Sequence, residues 1–487
     1  MGKQGSPQDN SVILKRAVVM SKPECHGANP MKSLRLPSLL LAALAVSTAA
    51  FAESRPNIVL IMADDMGFEC VGANGGEEYD TPRLDQLAAT GIRFEHCHSQ
   101  PICTPSRVQI MTGVYNNRNY LRFGVMDPAV KTFGHLFQKA GYKTVIAGKW
   151  QLDGGFEGPN NFGFDEYCLW QLTRRPPRFP NPGFEINGKE IDYTMGEYGP
   201  DIASDYLCDF IERNKDEEFF AYYPMIPPHY PFQPTPDSEE WDPTESREYA
   251  KKEWRDEWFA DMVTYTDKVI GKIVDKLEEL GLRENTLIIF TGDNGTYAGM
   301  ETDFDGGTYV GGKGKTKDNG THVPLIVNWP GNTPEGKVSQ SLVDFSDMLP
   351  TIADVAGIEV PRRWGVDGIS FASEIQGGEA SPRDWIYCWY SRDGIRDKAR
   401  ELVRNQRFKV YGDGKIFNVV DDFNEENPLK KSDLEGSDKA TVEMLNSVLK
   451  EHLAITAEAD PIQNAKRDNL TRGSKKSSKK ANQSEAP

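Results

Sequence analysis

The stretch RPNIVLIMADD, residues 55–65, decides the fold because an apolar run ends abruptly in two aspartates. Continuous Val/Ile/Leu runs with polar boundaries are typical of strands that are buried on both faces of a parallel sheet. Similar runs recur along the chain: YKTVIAG (142–148), EFFAYYPMIPPH (218–229), TLIIF (286–290) and VPLIVNW (323–329). The sequence therefore predicts several buried strands, each ending in polar residues.

Helical segments lie between these runs. The clearest is DKVIGKIVDKLEEL, residues 267–280, whose apolar residues recur at helical spacing and whose natural stop is Gly281. Strands that alternate with helices predict an α/β fold, with a large, mainly parallel mixed sheet sandwiched by helices. In such folds the functional site forms at the carboxyl ends of the strands.

The C-terminal part has a different pattern. A Gly/Pro-containing stretch, residues 377–383, reads as a linker, and IYCWYS (386–391), residues 401–419 and a late helix at 439–453 predict a smaller antiparallel sheet plus one helix. We therefore predict a catalytic domain at 53–376, an α+β subdomain at 384–460 and a disordered basic tail at 461–487.

The N-terminal part predicts export. Residues 31–52 combine a basic start, a short apolar core and the small-x-small site Ala50-Phe51-Ala52, as a signal peptide does. Residues 1–30 then read as a non-native upstream extension. The apolar run is too short for a stable membrane span, although an uncleaved anchor is the alternative. We expect cleavage after Ala52 and a secreted or periplasmic protein.

Charge and cysteine usage exclude some functions. The formal net charge of -17 argues against nucleic acid as a partner. The 7 cysteines are scattered without C-x-x-C spacing, which excludes a zinc site or a disulfide framework. One pair could still form a disulfide in an oxidising compartment.

The segment PICTPSRVQIMTG, residues 101–113, places one cysteine beside helix-start signals. Thr104 is a candidate N-cap and Pro105 fits the first helical position. Cys103 would then lie at the positive end of a helix dipole, with Arg107 one turn further on. This position favours anionic chemistry, whereas the alternative is that Cys103 is simply a small buried apolar residue.

Oxygen-bearing side chains follow two of the predicted strands. Asp64 and Asp65 follow the first, and Asp293 and Asn294 follow TLIIF. Together they suit Ca²⁺, with Mg²⁺ as the alternative, although each pair alone could cap a turn. Lysines and a histidine also follow strands and are candidates for binding an anion or donating a proton: Lys149, Lys313 and His229. Their alternative roles are a solvated surface for the lysines and a structural position for the histidine.

Six segments together resemble the formylglycine-dependent sulfatases of the alkaline phosphatase-like superfamily, and they occur in that family's order. They are residues 55–70, 101–113, 147–150, 227–231, 291–295 and 311–331. The resemblance implies that a formylglycine-generating maturation enzyme reads Pro105 and Arg107 and oxidises Cys103. It also implies that one hydroxyl of the aldehyde hydrate attacks sulfur while Ca²⁺ polarises the sulfate.

The same resemblance assigns roles to the remaining candidates. It implies that Ca²⁺ is bound by Asp64, Asp65, Asp293, Asn294 and modified Cys103. Arg107 would hold the modified side chain, and Asp293 could also take its proton. Lys149 and Lys313 would bind sulfate oxygens, and His229 would protonate the leaving alcohol.

One residue departs from the family pattern. The usual G-K-W-H-L-G reads GKWQLDG here, so Gln151 replaces a histidine credited with base catalysis of sulfate release. Glutamine can hydrogen-bond the substrate but cannot accept a proton at neutral pH. Without this histidine, either another base serves, or sulfate release is slower, or a water molecule relays the proton. We formulate the hypothesis that His322, in GTHVP, lies nearby.

The sequence as a whole predicts a secreted sulfatase, a hydrolase that acts on an organic sulfate ester of a small molecule or a glycan. A phosphodiesterase or phosphonate monoester hydrolase of the same fold is one alternative, and a non-catalytic glycan-binding relative is another, suggested by Gln151. Aromatic and cationic residues in a predicted loop could line a pocket for an anionic sugar: Trp170, Arg174, Arg175 and Arg178.

Overall fold

The computed structural model describes residues 55–244, 255–380 and 383–484, with side chains described up to residue 469. All of these residues fall within one unit, 53–487. The predicted signal peptide, the upstream extension and Cys25 lie outside the described residues. The predicted boundary between residues 376 and 384 stays a prediction.

The strands form one large sheet and three small ones. In chain order they are β1 Asn57–Ala63, β2 Ile92–His98, β3 Tyr120–Arg122, β4 Val125–Met126, β5 Lys143–Lys149, β6 Glu166–Trp170, β7 Gly183–Ile186, β8 Lys189–Asp192, β9 Phe219–Pro224, β10 Thr286–Gly292, β11 Glu301–Phe304, β12 Gly307–Val310, β13 Leu325–Asn328, β14 Lys337–Asp344, β15 Ile386–Tyr390, β16 Arg400–Arg404, β17 Phe408–Tyr411 and β18 Ile416–Asn418.

The large sheet has the order β14-β2-β13-β10-β1-β9-β5-β6-β7-β8. Its centre, from β10 through β1, β9 and β5 to β6, is parallel, whereas β13, β7 and β8 run antiparallel to their neighbours. The predicted mainly parallel mixed sheet is therefore confirmed. All seven residues of β1 are buried, as expected for a strand covered on both faces.

The register of β1 and β10 positions the functional site. Ala63 pairs with Gly292, the last residues of two adjacent parallel strands. Residues that follow these two ends therefore leave the sheet at the same level, and the polar residues after each strand meet there. β13 is antiparallel although its sequence has the same buried apolar pattern, because burial on both faces does not depend on strand direction.

The helices cover both faces of the sheet. They are α1 Pro82–Ala89, α2 Cys103–Thr112, α3 Asn116–Asn119, α4 Phe133–Lys139, α5 Gly158–Asn161, α6 Gly199–Arg213, α7 Asp256–Glu279, α8 Asp318–Thr321, α9 Met348–Val355, α10 Ala372–Ile375 and α11 Gly436–Ser484. Helix α7 begins before the predicted 267–280 because its first turns bury Trp258, Phe259 and Met262 against the sheet.

The start of α2 corrects one prediction. The helix begins at Cys103, with Ile102 as N-cap, so Thr104 is inside the first turn and is not the cap. The hydroxyl of Thr104 instead donates to Gln151 Oε1 at 3.3 Å and accepts from the Gly124 backbone N–H. The prediction that Cys103 lies at the N-terminal end of a helix is confirmed.

The C-terminal sheet has the predicted antiparallel form, in the order β15-β16-β17-β18, and the late helix packs on it. This helix, α11, continues where we predicted a disordered tail. Residues 461–469 are held by side-chain contacts: Gln463 donates to the Arg118 carbonyl, and Lys466 pairs with Asp127. The described residues 461–469 are thus helical, and the partners of Gln463 and Lys466 lie more than 300 positions away in the chain. The assignment of 461–487 as a separate tail stays a prediction.

Two further predictions concern disulfide bonds and membrane-spanning helices. The six cysteines of the described chain are all buried and free, so the structure shows no disulfide among them. No helix in the described part of the chain is both long enough and apolar enough to cross a membrane.

Candidate active site

The ends of β1 and β10 bring the predicted oxygen ligands together. Asp64, Asp65, Asp293 and Asn294 are all fully buried. The backbone N–H of Asp65 donates to Asp293 Oδ1 at 3.1 Å, and Asn294 Nδ2 donates to Asp65 Oδ1 at 2.8 Å. The two turns are thus joined by hydrogen bonds, as the predicted site requires.

Helix α2 delivers Cys103 and Arg107 to the same place. The Cys103 sulfur and one carboxylate oxygen each of Asp64 and Asp293 lie within 4.8 Å of one another. Arg107 Nη2 donates to Asp293 Oδ2 at 3.1 Å, and Nη1 donates to the Lys149 carbonyl at 2.9 Å. Arg107 therefore ties α2 to β5 and β10, and its implied role toward modified Cys103 stays a prediction.

Two lysines and a histidine complete the cluster. Lys149 Nζ donates to Asp64 Oδ2, and Lys313 Nζ donates to Asp65 Oδ2 at 2.6 Å. His229 Nε2 lies 3.7 Å from Asp65 Oδ2. The side chain of Lys149 is 1% exposed, whereas those of Lys313 and His229 are 18% and 16% exposed. Lys313 and His229 are thus the members of the cluster that solvent or a substrate can reach.

Gly148 explains how Lys149 enters the site. Its φ is +111°, a conformation that side chains rarely adopt, and an added Cβ would lie 2.1 Å from the Pro224 carbonyl oxygen. Only glycine allows β5 to pass so close to the end of β9. A glycine is therefore required at position 148 on steric grounds, in addition to being part of the GKW motif.

Two buried oxygens support the predicted metal site. Asp64 Oδ1 and Asn294 Oδ1 have no hydrogen-bond partner among the described residues. Leaving such atoms unpaired in the interior is costly, and a divalent cation would satisfy both. Because the carboxylates and the amide offer hard oxygen atoms, the residues present fit Ca²⁺ or Mg²⁺.

The charges of Asp64 and Asp293 influence each other's pKa values. Burial and the negative charge of Asp64 raise the pKa of Asp293, and Arg107 opposes this rise only in part. Burial also tends to raise the pKa of Asp64, but the nearby positive charges, above all those of Lys149, Arg107 and Lys313, hold it well below its ordinary value. In the protein alone the pair thus favours one negative charge, and a bound cation would favour two.

The cysteine and the histidine are both neutral at neutral pH. Burial raises the pKa of the Cys103 thiol, although Lys149 and Lys313 oppose this. Burial and the neighbouring Lys313 hold the pKa of His229 well below its usual range. A buried neutral thiol is a weak nucleophile, so the unmodified side chain is poorly suited to act as one.

Gln151 and His322 have separate surroundings. Gln151 is buried at a positive φ of 60°, and the Thr104 hydroxyl donates to its Oε1, which places it beside Cys103. His322 Nε2 donates to the Glu95 carbonyl at 2.8 Å, and its ring stacks on Phe68. Among the described residues no contact joins His322 to Gln151, so the structure gives no support to the hypothesis that His322 lies beside it.

Of the four predicted loop residues, Trp170 is instead the last residue of β6, and the arginines have different surroundings. Arg174 forms ion pairs with Glu185 and Asp192, so its charge is already balanced. Arg178 is buried against Trp170, and its Nη1 lies 3.0 Å from His229 Nδ1. The sequence placed Arg178 in a loop but did not connect it with His229, because 51 positions separate the two residues.

The buried carboxyl of Glu69, in the turn that follows Asp65, leads to a prediction about how stability depends on pH. Burial raises its pKa from 4.5 to about 7. Since the folded state keeps this proton more tightly than the unfolded chain, stability falls as the pH rises from about 4.5 and levels off above about 7. We expect Glu69→Gln to remove this fall. Measured by urea unfolding, the free energy of unfolding of the variant relative to wild type should be roughly 3 kcal/mol higher at about pH 8 than at about pH 4. An equal difference from wild type at both pH values would contradict it.

Comparisons with known proteins agree with the arrangement. A family model described as Sulfatase matches residues 56–358, and a second, described as N-sulphoglucosamine sulphohydrolase, C-terminal, matches residues 313–457. The first match covers the large sheet as far as its edge strand β14 and includes all of the residues placed in the cluster. The second covers the C-terminal sheet and the start of α11.

Individual relatives extend this result. Human arylsulfatase A is 32% identical over 416 residues, which are 77% of this chain and 78% of that protein. N-acetylglucosamine-6-O-sulfatase of Bacteroides thetaiotaomicron is 26% identical, covering 81% of this chain and 85% of its own length. The crystal structure of Ps i-CgsB in complex with k-i-k-neocarrahexaose is 26% identical, with a TM-score of 0.68, and covers 85% of this chain and 99% of its own.

Proposed function

The chain belongs to the formylglycine-dependent sulfatase family, and from this premise we propose that it removes sulfate from a sulfated carbohydrate after oxidation of Cys103 to formylglycine. Membership makes the protein a sulfatase, a hydrolase of sulfate esters. The observation that carries the proposal is the position of Cys103 at the start of α2, within 4.8 Å of two strand-end carboxylates. The names of two similar proteins, an N-acetylglucosamine-6-O-sulfatase and a protein solved in complex with k-i-k-neocarrahexaose, support a carbohydrate substrate.

We assign Ca²⁺ to the four oxygen-bearing residues, with Mg²⁺ as the alternative. The ligands would be Asp64, Asp65, Asp293 and Asn294, together with modified Cys103. When bound, the ion and the formylglycine hydrate supply a polarised sulfate group and an oxygen nucleophile. The two unpaired oxygens of Asp64 and Asn294 support this assignment.

The cationic residues have distinct proposed tasks. Lys313, which is partly exposed, and Lys149, which is buried, would turn from their aspartates toward sulfate oxygens when the cation neutralises the carboxylates. Arg107 would keep Asp293 and the strand end of β5 in place beside the modified side chain. Fixed positive charges of this kind favour the transition state because they need no reorganisation during the reaction.

His229 would act on the leaving group. Its Nε2 faces the carboxylates and its side chain is 16% exposed, so a sugar oxygen can approach it. Its Nε2 would donate its hydrogen to the ester oxygen as negative charge develops there and so would protonate the leaving alcohol, as the sequence predicts.

Gln151 leads to a prediction about the rate-limiting step. It cannot accept a proton, so we expect sulfate release to be slow and turnover of 4-nitrophenyl sulfate to begin with a nitrophenol burst of about one equivalent per modified site. Gln151→His should shrink the burst and raise the steady-state rate, because histidine can accept the proton. The variant should keep the fold, since histidine tolerates this positive φ. Stopped-flow absorbance measures both, and a wild-type progress curve without a burst would indicate that another base serves.

Export and maturation belong to the same proposal. We propose that residues 31–52 direct secretion and that a formylglycine-generating enzyme modifies Cys103 before folding is complete, since Cys103 is 1% exposed in the folded chain. Mass spectrometry of the peptide that contains Cys103 tests modification, and N-terminal sequencing of secreted protein tests cleavage after Ala52.

The activity itself is tested by comparing hydrolysis of 4-nitrophenyl sulfate with that of bis(4-nitrophenyl) phosphate, each normalised to formylglycine content. A preference for the sulfate ester, followed by activity on sulfated sugars, supports the proposal. A preference for the phosphodiester would instead favour the alternative hydrolase of the same fold. Unmodified cysteine in fully matured, active protein would overturn the formylglycine assignment.

A further inference from the structure

Arg178 contacts the ring nitrogen of His229 that does not face the carboxylates. Its Nη1 lies 3.0 Å from Nδ1, whereas Nε2 on the other side of the ring lies 3.7 Å from Asp65 Oδ2. Arg178 is only 2% exposed. The two nitrogens of His229 are thus divided between a buried arginine and the cluster of carboxylates.

The surroundings of Arg178 hold it in place. Its guanidinium carbon lies 4.5 Å from the Trp170 ring centroid and 5.5 Å from that of Phe179. Trp170 is fixed in turn, since its indole N–H donates to the Pro176 carbonyl at 2.9 Å. The Arg178 backbone is also closely packed, because a Cβ on Gly199 would lie 1.8 Å from its carbonyl oxygen. The guanidinium therefore presents its N–H group from a rigid support.

The chemistry of the two partners determines which nitrogen of His229 carries hydrogen. A guanidinium only donates, so the contact is a hydrogen bond only when Nδ1 has a free lone pair and Nε2 carries the hydrogen. The Tyr230 carbonyl also lies against Nδ1. A hydrogen on Nδ1 directed at that carbonyl is the alternative. It would set two N–H groups against each other at Arg178, whereas a hydrogen on Nε2 sets the Nδ1 lone pair against the Tyr230 carbonyl oxygen. We favour the hydrogen on Nε2 because a charged guanidinium makes the stronger hydrogen bond.

We propose that Arg178 is a positioning residue that holds His229 with its Nε2 hydrogen directed at the ester oxygen of the leaving group. The identity of that oxygen rests on the proposed function, whereas the tautomer of His229 does not. A poor leaving group, such as a sugar hydroxyl or phenol, needs this hydrogen bond as negative charge develops on its oxygen. Nitrophenol, which is a much better leaving group, needs it far less.

The kinetic test compares 4-nitrophenyl sulfate with phenyl sulfate in protein of known formylglycine content. Arg178→Met should lower kcat/KM on phenyl sulfate by about tenfold or more but change kcat/KM on 4-nitrophenyl sulfate by less than about threefold. The parameter kcat/KM reports the step that releases the phenol, whereas slow sulfate release would set kcat for both esters. Arg178→Lys should recover part of the loss because it keeps a donor. In the His229→Gln background, Arg178→Met should cost nothing further, as expected for a residue that acts through His229.

Arg213→Met is the matched control. The Arg213 guanidinium also lies near an aromatic ring, 5.8 Å from the Phe210 centroid, but Arg213 pairs with Glu166 and Asp209 and no described contact joins it to His229. We expect this control to react with both esters as wild type does. Equal losses on both esters in Arg178→Met would overturn the proposal, since they would indicate general damage to the site.

NMR of protein labelled with ¹⁵N-histidine reads the tautomer without any activity, and His229→Gln assigns the signals. We expect the wild-type His229 hydrogen on Nε2, and its loss or exchange between nitrogens in Arg178→Met. A hydrogen on Nδ1 in wild type would overturn the proposal, even if Arg178→Met fails to fold. If modified wild-type protein hydrolyses neither ester, the proposed function fails, while the NMR result still decides the tautomer.

Discussion

Cys103→Ala should reduce hydrolysis of 4-nitrophenyl sulfate by about 10³-fold or more. The variant cannot be converted to formylglycine, so it lacks the proposed nucleophile. In the unmodified protein the buried Cys103 thiol is neutral, because burial raises its pKa. Replacing it with alanine deletes one sulfur atom from a buried site that many other contacts hold. The loss should therefore appear in kcat, with the fold retained. Steady-state rates and the unfolding midpoint measure the two effects.

Cys168→Ala is the matched control for this prediction. Cys168 is also fully buried, but it lies in β6 away from the described cluster. We expect it to lower stability to a similar extent, by roughly 1 kcal/mol, without a large change in kcat. A Cys103→Ala protein that folds and keeps more than about a tenth of wild-type activity would refute the assigned nucleophile.

Asp293→Asn should lower kcat by about 10²–10³-fold and remove the response of the protein to Ca²⁺. Burial and Asp64 raise the pKa of Asp293, so an uncharged amide resembles the form that the protein alone favours. The amide oxygen can still accept the hydrogen bond from Arg107, but the amide NH2 then faces the backbone N–H of Asp65, which donates to the other carboxylate oxygen in wild type. The cation, in addition, loses one of its negatively charged ligands. We therefore expect the Ca²⁺-free variant to fold with a stability similar to that of Ca²⁺-free wild type at neutral pH.

Thermal unfolding with EGTA and with Ca²⁺ measures this difference. Wild type should gain about 2.7 kcal/mol when free Ca²⁺ is 100 times its Kd, and Asp293→Asn should gain much less. Asp267→Asn is the control, because Asp267 is a buried carboxylate that accepts hydrogen bonds from the backbone at the start of α1. It should keep the full Ca²⁺ response. Stabilisation of Asp293→Asn equal to that of wild type would exclude Asp293 as a ligand.

The fold was largely predictable because its signals are local. The apolar runs that became β1, β5, β9 and β10 end in polar residues, and Gly281 follows α7 as expected. The direction of β13 was not predictable, since a strand buried on both faces has the same composition in either direction. The start of α2 differed by a small shift, because Thr104 has a tertiary partner, Gln151, for the hydroxyl that would otherwise cap a helix.

The sequence by itself determined which residues are candidates for the site, because a motif fixes which chemical groups stand at each strand end. Only the tertiary structure decided which groups face each other, since Arg178 and His229 lie 51 positions apart and Asp65 and Asn294 lie 229 apart. It also decided that residues 461–469 continue a helix, because Asp127 pairs with Lys466. Composition and spacing describe a residue and its near neighbours, whereas a charge in a folded chain is balanced by whichever partner the sheet register and packing place beside it.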